Sequence, residues 1–189
     1  MDVSNYSGVI SADQILCMKE QGVNYLIALA QDLDICRQQL TIAREAGMRI
    51  AVYDFLYFED PTFDLRRQRA ITIARELGGL EVWLDVEDEQ HQVGPPTIVT
   101  LIKRAAKFCD DAELPWGIYT SRSKWQRLTT NNLEFKGKPL WDANYLPNPE
   151  MYVFFPYGGW LDYAIHQYQG TADMCGVTVD LNFAAPLPV

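Results

Sequence analysis

Through its first two thirds the chain alternates short apolar runs with amphipathic stretches. "MDVS" at the start reads as a brief strand. "SADQ" at 11–14 is a capping box, Ser11 with Gln14, that opens a helix ended by Gly22. "YLIALA" (25–30) is the next strand, and a helical pattern runs from about Asp32 to Ala46, with Gly47 as its stop signal. "RIAVYDFLYF" (49–58) is a third strand, and Pro61 and Thr62 open a helix that reaches Leu77 before Gly78 and Gly79. "EVWLDVE" (81–87) is a fourth strand. Pro95 and Pro96 precede the helical "TIVTLIKRAAKFCDDA", and "WGIYTS" (116–121) follows as a fifth strand.

A repeated βα unit implies parallel strands with helical crossovers. After Trp125 the pattern changes: "PLWDANY" (139–145), "YAIHQYQ" (163–169) and "GVTVDLNF" (176–183) read as strands with little helix between them. The sum, eight strands and about five helices, predicts an α/β fold of TIM-like type, a modified β/α barrel. An open doubly wound sheet would call for a glycine-rich phosphate turn, and no G-x-G-x-x-G or P-loop is present. Without a linker, repeat or low-complexity tract, residues 1–189 are expected to form a single domain.

The fourth strand breaks into acid: Asp85, Glu87, Asp88 and Glu89. Strand side chains alternate between faces, so Asp85 and Glu87 share one face and Leu84 and Val86 the other. Buried carboxylates persist where they are paired, solvated or used. In a parallel βα barrel the active site lies at the C-terminal strand ends. Asp85 and Glu87 close strand four, Asp180 is expected near the end of strand eight, and Asp2 lies on strand one, next to strand eight in a closed barrel. Four carboxylates thus converge on one mouth. The bland alternative is a solvated strand end running into an acidic loop.

Composition narrows the partners. Sixteen basic and twenty-five acidic residues leave a net charge of −9, which disfavours nucleic acid and anionic surfaces, since both recruit basic footprints. No apolar stretch approaches the roughly 20 residues of a membrane span, so membrane insertion is not expected, and the start lacks a signal-peptide pattern. The protein is therefore expected to be made in the cytoplasm and to act outside it only if delivered or released. Cys17, Cys36, Cys109 and Cys175 are scattered without a C-x-x-C pair and are expected to be reduced, structural residues. His91 and His166 have no partner at ligand spacing and read as structural, so no metal or cofactor is expected. The helical Arg66, Arg67 and Arg69 read as a solvated face. Tyr152, Phe154, Phe155, Tyr157 and Trp160 crowd one segment with Pro147, Pro149 and Pro156; they suit either sugar stacking or anchoring of a long loop.

The ordered set "MDVSNYSG", "AREAGMRIAVYDF", "VWLDVE", "GIYTSRSKW", "PLWDANY", "HQYQG" and "VDLNF" resembles the glycoside hydrolase family 25 domain of lysozyme-like muramidases, over nearly the whole chain. The resemblance implies an eight-stranded, five-helix barrel with Glu87 as general acid and Asp85 as its companion at the substrate's N-acetyl group. It also implies that Asp2 and Asp180 are acidic site positions, that Tyr53 and Tyr119 are pocket tyrosines, and that Trp141 and Gln167 lie near the mouth. Two departures stand out. The family's K-A-T-E-G-like run after strand two is replaced by "LIALAQDLD", and Asp54 occupies the usual place of a histidine beside Tyr53.

The expected function is hydrolysis of β-1,4 bonds in peptidoglycan or a related N-acetylated glycan, by a protein working as a monomer. Asp85 and Glu87 stand on one strand with Cα atoms about 6.5–7 Å apart. That side-by-side placement suits attack by the substrate's own N-acetyl group, with net retention, better than an acid and nucleophile on opposite sugar faces. The alternative is a catalytically degenerate barrel of the same family serving as a glycan-binding or structural module.

Overall fold

The computed structural model describes residues 1–146 and 148–184; Pro147 of the aromatic segment and residues 185–189 lie outside the described residues. Eight strands close a barrel in sequence order: β1 (Asp2–Val3), β2 (Tyr25–Leu29), β3 (Arg49–Phe55), β4 (Val82–Asp85), β5 (Trp116–Thr120), β6 (Leu140–Ala143), β7 (Ile165–Met174) and β8 (Val177–Ala184). Strands β1 to β7 run parallel, whereas β8 is antiparallel to both β7 and β1. Five α-helices clothe the described barrel: α1 (Ala12–Glu20), α2 (Leu33–Glu45), α3 (Phe63–Glu76), α4 (Pro95–Asp111) and α5 (Arg122–Thr129). None of these is long and apolar enough to cross a membrane.

Local chemistry sets the helix starts. Ser11 and Gln14 bond reciprocally across the first turn of α1, at 3.2 and 3.0 Å. Asp32 accepts from two backbone amides of α2, Ser121 caps α5, and Pro95 and Pro96 occupy the opening turn of α4, where their missing N–H is not needed. The fifth helix, which the pattern did not localise, follows β5 directly. Among the described residues no α-helix follows β6 or β7. A loop spans the first gap, and a hairpin joins β7 to β8.

The period of two along each strand divides the apolar residues between two cores. Leu26, Val52, Leu84, Ile118 and Leu140 face outward and pack with the helices. Ile27, Ala51, Trp83, Tyr119, Trp141 and Ile165 fill the barrel, with Trp141 edge-on to Trp83 and Tyr119 at 5.8 and 4.7 Å. Gly117 stands opposite Trp83 in the ladder, and a Cβ there would clash with the indole and lie 2.8 Å from the Pro139 carbonyl. The missing side chain makes room for the tryptophan.

Two expectations need correction. Cys17 and Cys175 form a disulfide across 158 residues, with Cα atoms 6.2 Å apart, joining α1 to the β7–β8 turn. Sequence spacing does not reveal this pair, because only barrel closure brings the two segments together. Cys36 and Cys109 are free and buried. Arg67 is not on a solvated face: it is 1% exposed, ion-pairs with Asp54, donates to the Phe55 carbonyl and lies over the Phe63 ring. The alternation that turns Tyr53 into the barrel turns Asp54 outward, onto α3.

The long β6–β7 loop is pinned by part of its aromatic cluster. Tyr152 stacks on His166 at 3.9 Å, and both Tyr152 and Tyr157 donate to the buried Asp142 carboxylate. Trp160 donates to the Lys138 carbonyl and packs on Trp125. Phe155 remains exposed.

Candidate active site

At the C-terminal mouth of the parallel strands the inward alternation switches from apolar to acidic. On β4 the inward series runs Trp83, Asp85 and then Glu87, two residues past the strand's last assigned position. The segment keeps its strand-like attachment to β5, since Val86 N–H donates to the Tyr119 carbonyl and the Thr120 hydroxyl to the Val86 carbonyl. The acidic run then divides. Asp88 is buried and accepts from the Phe58 and Gln90 amides, and Glu89 is held by Lys124 and Arg127. Asp88 and Glu89 are thus used structurally, while Glu87 lines a cleft of about 560 Å³ with Tyr119, Ser121, Arg122, Lys124, Asn144 and Tyr145.

The antiparallel course of β8 brings in the third acid. Asp180 pairs with Asp2 in the ladder, in the middle of β8 rather than near its end. It also accepts from the Thr171 amide at 2.7 Å, tying it to the β7 side of the hairpin. A second recess of about 290 Å³, lined by Asp2, Tyr53, Tyr6, Thr171 and Asp180, opens on this side of the mouth.

Gln167 links the two sides. Its amide nitrogen donates to Asp2 at 3.0 Å and to Asp180 at 3.4 Å, and its carbonyl accepts from the hydroxyls of Tyr119 and Tyr145 at 2.8 and 3.1 Å. Asn182 completes the cradle, donating to Asp2 at 2.7 Å and accepting from the Trp141 indole at 2.7 Å. Trp141, at 1% exposure, is therefore the floor of the mouth rather than part of its wall. The α-amino group of Met1 donates to the Tyr25 carbonyl.

Electrostatics follow from crowding acids in a closed space. Burial raises Asp2 to about 7; the Asp180 charge adds to this, and the bonds from Asn182 and Gln167 oppose it. Asp85, 3% exposed, is pushed well above the usual carboxylate range by burial and then by Glu87 and Asp2, and its Oδ1 has no hydrogen-bond partner. Glu87 is raised by burial, with Lys124 pulling back and Asp180 adding to the rise. Tyr53 and Tyr119 are held far above the ordinary tyrosine range by burial and by the same acids.

Asp2, Asp85, Glu87, Asp180, Tyr53, Tyr119 and Gln167 are thus gathered at one mouth. Asn182, Tyr145, Asn144, Arg122 and Lys124 carry no individual expectation from sequence, although all five lie inside the "VDLNF", "PLWDANY" and "GIYTSRSKW" segments. Arg122 and Lys124 needed the placement of α5 before they could be assigned to the cleft.

The geometry is that of a closed α/β barrel whose parallel-strand mouth gathers buried carboxylates. Residues 2–168 match the family described as "Lysozyme-like protein 1", and the chain belongs to this family of lysozyme-like proteins, with a glycoside hydrolase family 25 domain. "Probable GH family 25 lysozyme 2" of Dictyostelium discoideum is 30% identical and aligns over 97% of this chain and 89% of its own length. "Probable GH family 25 lysozyme 3" of the same organism is 28% identical over 75% of this chain, which spans only 31% of that longer protein. The solved family GH25 lysozyme from Aspergillus fumigatus superposes with a TM-score of 0.74 over 98% of this chain and 93% of its own, at 21% identity, a likeness of fold.

Proposed function

We propose that this protein is an N-acetylmuramidase that cleaves β-1,4 bonds of peptidoglycan by a retaining, substrate-assisted mechanism. The observation that carries the reading is the pairing of Asp85 and Glu87 as successive inward residues at the mouth, both with raised affinity for protons. Glu87, facing the cleft with its affinity for protons raised by burial, donates a proton to the glycosidic oxygen as the C–O bond breaks. The substrate's N-acetyl carbonyl oxygen bonds to the anomeric carbon, giving a positively charged oxazolinium ring. Water then opens that ring, with the Glu87 carboxylate taking the water's proton.

Asp85 supports the second partner in this scheme. Its unpartnered Oδ1 is suited to accept the N–H of the acetamido group, and positive charge arising there favours the ionised carboxylate when it is needed. Asp2 and Asp180, both bonded by the Gln167 amide, brace the β1–β8 side of the mouth. The disulfide supports action in an oxidising compartment outside the reducing cytosol.

The test is turnover of purified peptidoglycan by wild type and Glu87→Gln, with NMR of the first-formed anomer. Glu87→Gln is expected to lose about 10²–10⁴-fold in rate with an unchanged melting temperature, and wild type to release the retained anomer. Equal rates in the two proteins remove Glu87 as the acid. An inverted product removes substrate assistance. Glycan binding by wild type without any turnover would identify the barrel as a degenerate binding module.

A further inference from the structure

Three cations project from α5, and two of them are already satisfied. Lys124 and Arg127 both ion-pair with Glu89, Lys124 at 2.9 Å. Arg122 is exposed and makes no ion pair among the described residues. Its guanidinium lies 5.8 Å from the centre of the exposed Phe155 ring, within cation–π range, and it lines the same cleft as Glu87. Ser121, Ser123 and Asn144 line the cleft beside it, adding neutral hydrogen-bonding groups. In a chain of net charge −9, a cation left without a carboxylate on the wall of an acid-containing cleft is placed to meet a negative group brought by the ligand.

The geometry points to Arg122 as a specificity residue that binds a carboxylate carried by the glycan, so that the preferred substrate is a sugar chain with carboxylate-bearing substituents rather than a neutral one. This rests on the reading of the cleft as a glycan site. A guanidinium offers paired donors that match the two oxygens of a carboxylate, whereas an amide in the same place supplies one acceptor and no charge. The Phe155 ring, within cation–π range, is the aromatic neighbour of this guanidinium. Net charge and local charge act at different ranges. The overall −9 opposes approach to a dense polyanion, and Arg122 selects among substituents once a strand lies in the cleft.

The test compares soluble glycan fragments carrying free lactyl carboxylates with the same fragments after amidation. Binding to Glu87→Gln measures the preference without turnover, and hydrolysis by wild type is measured in parallel. A charge-assisted contact on an exposed wall is expected to favour the free acid by about tenfold in Kd. Adding Arg122→Ala is expected to bring the acid-to-amide ratio close to one, and adding Arg122→Lys to retain part of it. The proposal is overturned if there is no acid preference in the Arg122 protein, or if the preference survives Arg122→Ala. Absence of hydrolysis by wild type strikes the muramidase reading instead, since the binding ratios remain measurable. Melting curves of the Arg122 variants check that the fold is intact.

Discussion

Removing the Cys17–Cys175 bridge perturbs the barrel at its closure. The crosslink joins α1 to the β7–β8 turn across 158 residues, so its main effect is on the unfolded chain, which it holds in a large loop. The chain-entropy relation for a loop of that size corresponds to about 17 cal/mol/K, or about 5 kcal/mol at 25 °C. For chains of this length each kcal/mol moves the midpoint by about 2–4 °C, so the expected loss is about 10–20 °C. The assay is thermal unfolding of wild type, with and without reductant, beside Cys17→Ala/Cys175→Ala. Reduced wild type and the double variant are expected to melt together, well below oxidised wild type, and reductant should leave the double variant unchanged. Thiol counting supplies the control: the denatured oxidised protein should expose two thiols, Cys36 and Cys109, and the reduced protein four. Coincident melting of oxidised wild type and the double variant would refute the closure argument.

Two further predictions concern protons. Native Asp2 keeps its proton to about pH 7, whereas an unfolded aspartate releases it near 3.9, so the native state binds the extra proton between those values and stability falls as pH rises from about 4 to about 7. Urea unfolding at several pH values should show Asp2→Asn free of this loss, at most about 4 kcal/mol; parallel wild-type and variant profiles would contradict it. Lys124 is the group that lowers the Glu87 pKa, so Lys124→Met should move the alkaline limb of kcat/KM to higher pH and Lys124→Arg should leave it in place. A limb that stays put or moves down in Lys124→Met excludes Lys124 as the tuning charge.

The sequence by itself determined the succession of elements and the face of each strand. Capping boxes, glycine stops and proline starts are local features, legible within a few residues, as Ser11, Gln14, Gly47 and Pro95 show. The shared orientation of Asp85 and Glu87 is a matter of period two, which needs no partner strand. The same rule, applied to Tyr53 and Asp54, separates a site residue from one that turns outward, but the Arg67 that meets Asp54 lies on α3, where the sequence pattern alone predicts a solvated face. Only the tertiary structure decided which distant residues meet. The reversal of β8 set Asp180 opposite Asp2, the folded hairpin carried Cys175 to Cys17, and the packing of α5 set Lys124 on Glu89 and Arg122 on the cleft wall, without an ion pair among the described residues. Each of these juxtapositions depends on barrel closure, whose geometry is set by all eight strands together, so no short window of sequence contains it.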